Sequence, residues 1–166
     1  MALRLWQGGR MATNEKSITV TRVIDHPTQE IFDVLTLPEN HEQFDGSGMV
    51  RAAERSQRIQ GVGDVFVMNM FADAMGGDYR MHNHVTAYDA NKMVGWQPAQ
   101  SDNPKEPGGW EWVYELNAVG PDSTEVTLTY DWSKVDDPKL LSLFPVVSED
   151  QLDESLNRLA AAVSGS

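Results

Sequence analysis

Two histidines one residue apart, His82 and His84, are the sharpest chemical signal in the chain. On a strand, residues i and i+2 share a face, so the two imidazoles could together ligate a metal ion. The same alternation groups them with Arg80 and Thr86, opposite Tyr79, Met81, Asn83 and Val85. The second set is the better inner face, which makes His82 and His84 solvated imidazoles on the outside of a sheet. The remaining histidines, His26 and His41, lie upstream in a helical segment, and none follows His84 to complete a site. No metal and no other cofactor is expected; a metal-dependent enzyme built on the His82–His84 pair is the alternative.

An inward Asn83 must be accounted for, because a buried amide without a partner costs roughly 1–3 kcal/mol. It should meet either a protein group or a ligand oxygen. Tyr114 and Tyr130 carry hydroxyls that could donate to a ligand carbonyl, and Tyr79 is a further polar group on the inner face. In an enzyme such a hydroxyl could polarise a ketone while a neighbouring base removed an α-proton. No Lys or Glu is placed inside to act as that base, so no catalytic residue is assigned. Satisfying buried backbone groups is an equally good use of the tyrosines. Asp45-Gly-Ser-Gly48 lacks the Lys of a phosphate loop and precedes a strand, so it reads as a turn. Ser47 and Ser133 have no nucleophile-elbow context, and the absence of cysteine removes thiol chemistry altogether.

The elements that must position these groups are legible from their periods. Residues 17–24 alternate polar and apolar, as a half-buried strand does. Pro27 suits the first turn of a helix whose buried face is Ile31, Phe32, Val34 and Leu35, and Pro38 opens a second short helix ending at Phe44. Six further strands are expected at roughly 49–59, 63–71, 78–88, 92–98, 110–119 and 124–132, separated by Gly, Asp, Asn and Pro. Residues 100–109 form a longer loop at the rim. Leu140, Leu141, Leu143 and Phe144 make an apolar cluster, and Ser148 with Gln151 forms a capping box. Leu152, Leu156, Leu159, Ala160 and Val163 then give one apolar helix face.

Alternation also selects the inward residues: Phe66, Met68 and Met70; Trp110, Trp112, Tyr114 and Leu116; Val126, Leu128, Tyr130 and Trp132. The sum is an α+β chain in which a seven-stranded curved antiparallel sheet wraps one long C-terminal helix, with two short helices after the first strand. A strongly twisted sheet around a single helix need not be filled solidly. Five Trp, four Tyr and eight Met supply adaptable apolar surface for a ligand between them. The expected cavity residues are Phe66, Met68, Met70, Tyr79, Met81, Asn83, Trp96, Trp112, Tyr114, Tyr130, Trp132, Leu152 and Leu156.

This element order, with Asp25-His-Pro-Thr-Gln-Glu-Ile-Phe-Asp-Val-Leu35, Val94-Gly-Trp96 and Tyr130-Asp-Trp132-Ser, resembles the START/Bet v 1-like (SRPBCC) helix-grip superfamily. The branch it resembles most is the bacterial polyketide cyclase/dehydrase-like group, over residues 17–164. That likeness implies binding of a small, largely apolar, lipid- or polyketide-like molecule, with cyclase/dehydratase proton transfer as an extension. It also implies a third option, since some members act on other proteins.

Composition narrows the partners. With 25 acidic against 13 basic residues the net charge is −12, and no Lys/Arg run offsets it, so nucleic acid is not expected. The longest unbroken apolar run is five residues, Leu159 to Val163, far from the roughly 20 that insert in a bilayer. The expected domain is one unit over 16–166, preceded by a disordered leader or alternative start over 1–15. With no export signal read, the cytoplasm is the default location.

Overall fold

In a computed structural model the protein is described over residues 16–165, together with the short strands β1 (Trp6–Gln7) and β2 (Arg10–Met11), which pair antiparallel. Apart from those two strands, the leader expected over 1–15 lies outside the described residues.

Strand β3 (Ser17–Ile24) buries Ile18, Val20 and Ile24, as its alternation requires. Helix α1 (Thr28–Leu35) follows and buries Ile31, Phe32, Val34 and Leu35. A single 3-10 turn over Pro38–Asn40 then runs into α2 (His41–Phe44), which turns His41 and Phe44 inward. The strands β4 (Val50–Ala53), β5 (Val65–Ala72), β6 (Gly77–Asp89), β7 (Met93–Gln100), β8 (Glu111–Gly120) and β9 (Ser123–Asp131) make an antiparallel meander. Strand β3 closes it, giving the order β3-β9-β8-β7-β6-β5-β4. This is the seven-stranded antiparallel sheet of the expected α+β helix-grip fold.

One strand is shorter than expected. Residues 49–59 contain only the strand Val50–Ala53. Beyond it the chain leaves the sheet and crosses toward α1. Ile59 is buried and donates its N–H to Thr36 O at 2.8 Å, while Arg58 Nη1 donates to Asp33 O and Thr36 Oγ1. The polar stretch around Ile59 has no second apolar residue to hold on the sheet, so anchoring this one side chain under α1 wins.

After the sheet come the one-turn helix α3 (Pro138–Leu141) and the long α4 (Glu149–Ser164). The capping box is complete: Ser148 Oγ accepts from Gln151 N at 3.2 Å, and Gln151 Oε1 accepts from Ser148 N at 2.9 Å. Helix α4 buries Leu152, Ser155, Leu156, Leu159 and Val163. It packs on β3 and the edge of β9, and against α1 and α2. Helix α4 thus covers chiefly one side of the concave face. The side built by β5 to β8 is roofed by other segments.

Candidate ligand cavity

Under that second roof lies a cavity of about 410 Å³. This is within the range of small-molecule sites. Its floor is the inner face of the sheet: Met68 and Met70 from β5, Tyr79, Met81 and Asn83 from β6, Trp96 and Pro98 from β7, Trp112 and Tyr114 from β8, and Leu128 and Tyr130 from β9. Its roof is α2 and the following loop (His41, Phe44, Asp45, Ser47, Met49), with the strap over residues 140–147. The strap is tied down where Tyr130 Oη accepts from Val146 N at 3.2 Å. Met75, Leu143 and Val146 line the mouth and remain 41%, 57% and 47% exposed, an apolar rim around an apolar hole.

The sheet register explains the floor. Across neighbouring strands Phe66 faces Asn83, Asn83 faces Pro98, Trp96 faces Trp112, and Trp112 faces Tyr130. Each pair therefore presents side chains to the same side. Trp112 and Tyr130 stack with ring centroids 4.1 Å apart and planes 8° from parallel. Of the thirteen residues expected here, nine line the cavity, and Phe66, Trp132, Leu152 and Leu156 do not. Phe66 is screened by the His41 ring, 5.1 Å away, and by Trp96 at 5.4 Å. Trp132 lies beneath Phe144, stacked at 6.1 Å. Leu152 and Leu156 point into the close-packed side under α4, where each is almost wholly buried.

The polar content is sparse and specific. His41 is 4% exposed, flanked by Phe44, Phe66 and Trp96. Its Nε2 lies 2.8 Å from Leu35 O, and a carbonyl only accepts, so Nε2 carries the proton and Nδ1 presents a lone pair. Burial lowers its pKa to about 4 against the opposing pull of that backbone bond, so the ring is neutral at pH 7. Asn83 and Tyr114 are each 4% exposed. No described residue bonds the Asn83 amide, the Tyr114 hydroxyl or His41 Nδ1. Yet among the described residues no buried polar side-chain atom is sealed away without a partner, so these three groups open onto the cavity they line.

Burial, with a smaller contribution from the Asp45 charge, pushes the Tyr114 hydroxyl far above its ordinary range and raises Tyr79 as well. Tyr130 is pushed up to about 12 by burial, opposed by the backbone bonds at Val146 and Val147. Among the described lining residues Asp45 is the one carboxylate, and none is Lys or Arg. The Asp45 side chain accepts from Ser47 Oγ and Gly48 N, at 2.7 and 3.0 Å to Oδ2. The Asp45-Gly-Ser-Gly48 turn is pinned to α4 by Gly46 N donating to Ser155 Oγ at 2.8 Å.

His82 and His84 sit on the opposite face of β6, half-buried by the rim loop. His84 Nε2 lies 2.7 Å from Pro104 O, and His82 Nε2 lies 3.3 Å from Ser101 Oγ. Among the described residues no group of three or more His, Asp or Glu side chains is arranged to hold a metal ion. His41, Asp45 and Ser155 are among the polar lining residues that reading the sequence missed, as are most of the roof residues from the loop after α2 and from the strap. The signal for His41 was the three-residue spacing of Pro38, His41 and Phe44, all buried, which puts the imidazole on the inner helical face.

Comparison with known proteins places this geometry in company. A sequence model of the family described as Activator of Hsp90 ATPase homolog 1-like protein matches residues 25–164. An uncharacterized protein of Mycobacterium tuberculosis is 32% identical over 106 residues, 64% of this chain and 43% of that protein. The chain thus covers less than half the length of that curated relative. The Zhui aromatase/cyclase of a Streptomyces species superposes with a TM-score of 0.62 at 12% identity, over 90% of this chain and 93% of that one. The Aha1 dimer of Colwellia psychrerythraea gives 0.53 at 22% identity, over 89% and 95%. At such identities the two structures speak for the fold alone.

Proposed function

The chain belongs to the Activator of Hsp90 ATPase homolog 1-like family, within the START/Bet v 1-like superfamily that its sequence resembles, and from that premise we propose that it binds a small, largely apolar molecule in the roofed side of its sheet. The observation that carries this reading is the 410 Å³ cavity floored by aromatic rings and thioethers. Those groups give a ligand contact area at little entropic cost and can adjust to its outline. The apolar rim of Met75, Leu143 and Val146 gives such a molecule a path in.

Binding is a better-supported role than turnover. The imidazole at the cavity is His41, and a base whose conjugate acid has a pKa near 4 has little driving force to take an α-proton at neutral pH. Cyclase chemistry of the kind named for the aromatase/cyclase neighbour would have to draw on His41 or on Asp45, whose carboxylate is already engaged by Ser47 and Gly48. The metal-dependent alternative gains little from His82 and His84, whose Nε2 atoms are each engaged on the outer face with no further ligand grouped beside them among the described residues.

The test is titration with neutral N-phenyl-naphthylamine, following probe emission and quenching of the protein's tryptophans, three of which (Trp96, Trp110 and Trp112) line the cavity. Saturable uptake that Met70→Trp abolishes is expected. No uptake, with an unchanged melting temperature, sinks the reading.

A further inference from the structure

We propose that His41, Asn83 and Tyr114 form a head-group subsite for a neutral ligand bearing a carbonyl beside a hydroxyl, and that it refuses a carboxylate of the same size. This rests on the cavity being a binding site and adds what end of the ligand it reads. The three side chains gather around Trp96. The His41 ring lies 4.9 Å from the indole and the Tyr114 ring 6.0 Å, while Asn83 sits across from Pro98, two positions along β7 from Trp96. All three are more than nine-tenths buried, line the cavity, and offer polar atoms that no described residue satisfies.

Their chemistry is complementary rather than redundant. The Asn83 amide and the Tyr114 hydroxyl can donate, which suits a ligand carbonyl. His41 Nδ1 can only accept, because the ring proton is committed to Leu35 O, so it calls for a ligand O–H. Two donors and a fixed acceptor therefore suit a hydroxy-ketone or the enol form of a diketone, each of which carries a carbonyl beside a hydroxyl. The exposed mouth residues Leu143 and Val146 are apolar, so this group of polar atoms is the natural destination of the ligand's polar end.

Charge excludes the obvious rival, a fatty or aromatic acid. Among the described residues no Lys or Arg lines the cavity to compensate an entering carboxylate, and the Asp45 carboxylate is already there. An anion would lose its hydration and meet a like charge. Every donor it could use is neutral, so no charge-assisted pairing offsets that loss.

Three probes of one size separate the terms: ethylnaphthalene, with no polar head; acetonaphthone, a neutral ketone; and naphthoate, an anion. Dissociation constants follow from tryptophan quenching at pH 7 in wild type, Asn83→Leu and Tyr114→Phe. The expected order is acetonaphthone tightest, ethylnaphthalene weaker by about threefold to tenfold, the worth of one or two neutral hydrogen bonds, and naphthoate weakest. Asn83→Leu and Tyr114→Phe should each erode the ketone's advantage over ethylnaphthalene. Hydroxy-acetonaphthone should gain further over acetonaphthone in wild type, through His41.

If ethylnaphthalene binds but the ketone has no advantage, or naphthoate binds best, the subsite is overturned and the apolar cavity stands. If none of the probes binds, the cavity reading falls and takes the subsite with it.

Discussion

His41 shows how one residue can couple the cavity to stability. Its pKa is about 4 in the folded protein, lowered by burial, against an ordinary value of 6.5 in the unfolded chain. Between those values the unfolded state takes up a proton that the folded state refuses, so stability rises with pH across the window and falls as the solution is acidified from about pH 6.5 toward 4. The full difference amounts to roughly 3 kcal/mol, and below about pH 4 it stops growing. Urea midpoints measured across that range should drop more steeply for wild type than for His41→Gln, which keeps a donor for Leu35 O and cannot titrate. Equal slopes would show that the imidazole is not held neutral. Nothing in the linear sequence marks the ring as buried except its spacing to Pro38 and Phe44, because its other walls, Phe66 and Trp96, come from strands far along the chain. Asn83, by contrast, was legible: strict alternation from Tyr79 to Val85 fixes its face without any tertiary knowledge.

The loop after α2 and the strap before α4 are the elements that turn a half-roofed sheet into an enclosed cavity. Gly46 lies so close to α4 that a Cβ there would run into Gln151 O and Ser155 N, both backbone atoms of a helix that cannot yield locally. Gly46→Ala should therefore cost about 1–3 kcal/mol by overpacking and lower the melting temperature, whereas Gly61→Ala, where a Cβ meets open space, should stay within about 0.5 kcal/mol. Comparable losses at both glycines would mean that α4 moves aside. The strap is held differently, by its backbone bonds at Val146 and Val147 to the Tyr130 hydroxyl. Tyr130→Phe keeps the ring that stacks on Trp112 and removes only that acceptor. Stopped-flow release of N-phenyl-naphthylamine should accelerate several-fold, with about 1 kcal/mol lost in stability. An unchanged release rate would show that the strap is not the gate. Such elements resist sequence reading for a physical reason. Strands and the capped α4 announce themselves by period and cap, and most fell within a residue or two of expectation. The 49–59 stretch did not, because a local pattern cannot show that Ile59 has a better burial site under α1 than on the sheet.

Across the whole molecule the concave face has two halves with different packing. Helix α4 presses Leu152, Leu156, Leu159 and Val163 onto the β3–β9 side, and there the interior is solid. The β5–β8 side keeps its aromatic and methionine residues around a void. The helix-grip fold was readable from element order, but which inward residues meet the helix and which meet the void was not. Alternation names a face, and the position of α4 along the sheet decides what covers it. Truncation should expose the division. Leu156→Ala removes packed volume and leaves a new hole, which costs about 2–5 kcal/mol when the surroundings cannot collapse. Met70→Ala only widens space already open to the mouth, so its loss should be nearer 1 kcal/mol. Ligand binding should respond in the opposite sense. Affinity for N-phenyl-naphthylamine should weaken in Met70→Ala, where the probe loses contacts, and hold steady in Leu156→Ala as long as that variant remains folded. Denaturant melts and probe titrations on the same two variants make the comparison. If both pay alike in stability and in affinity, the two halves are one continuous core, and the void is not the place where this chain holds its ligand.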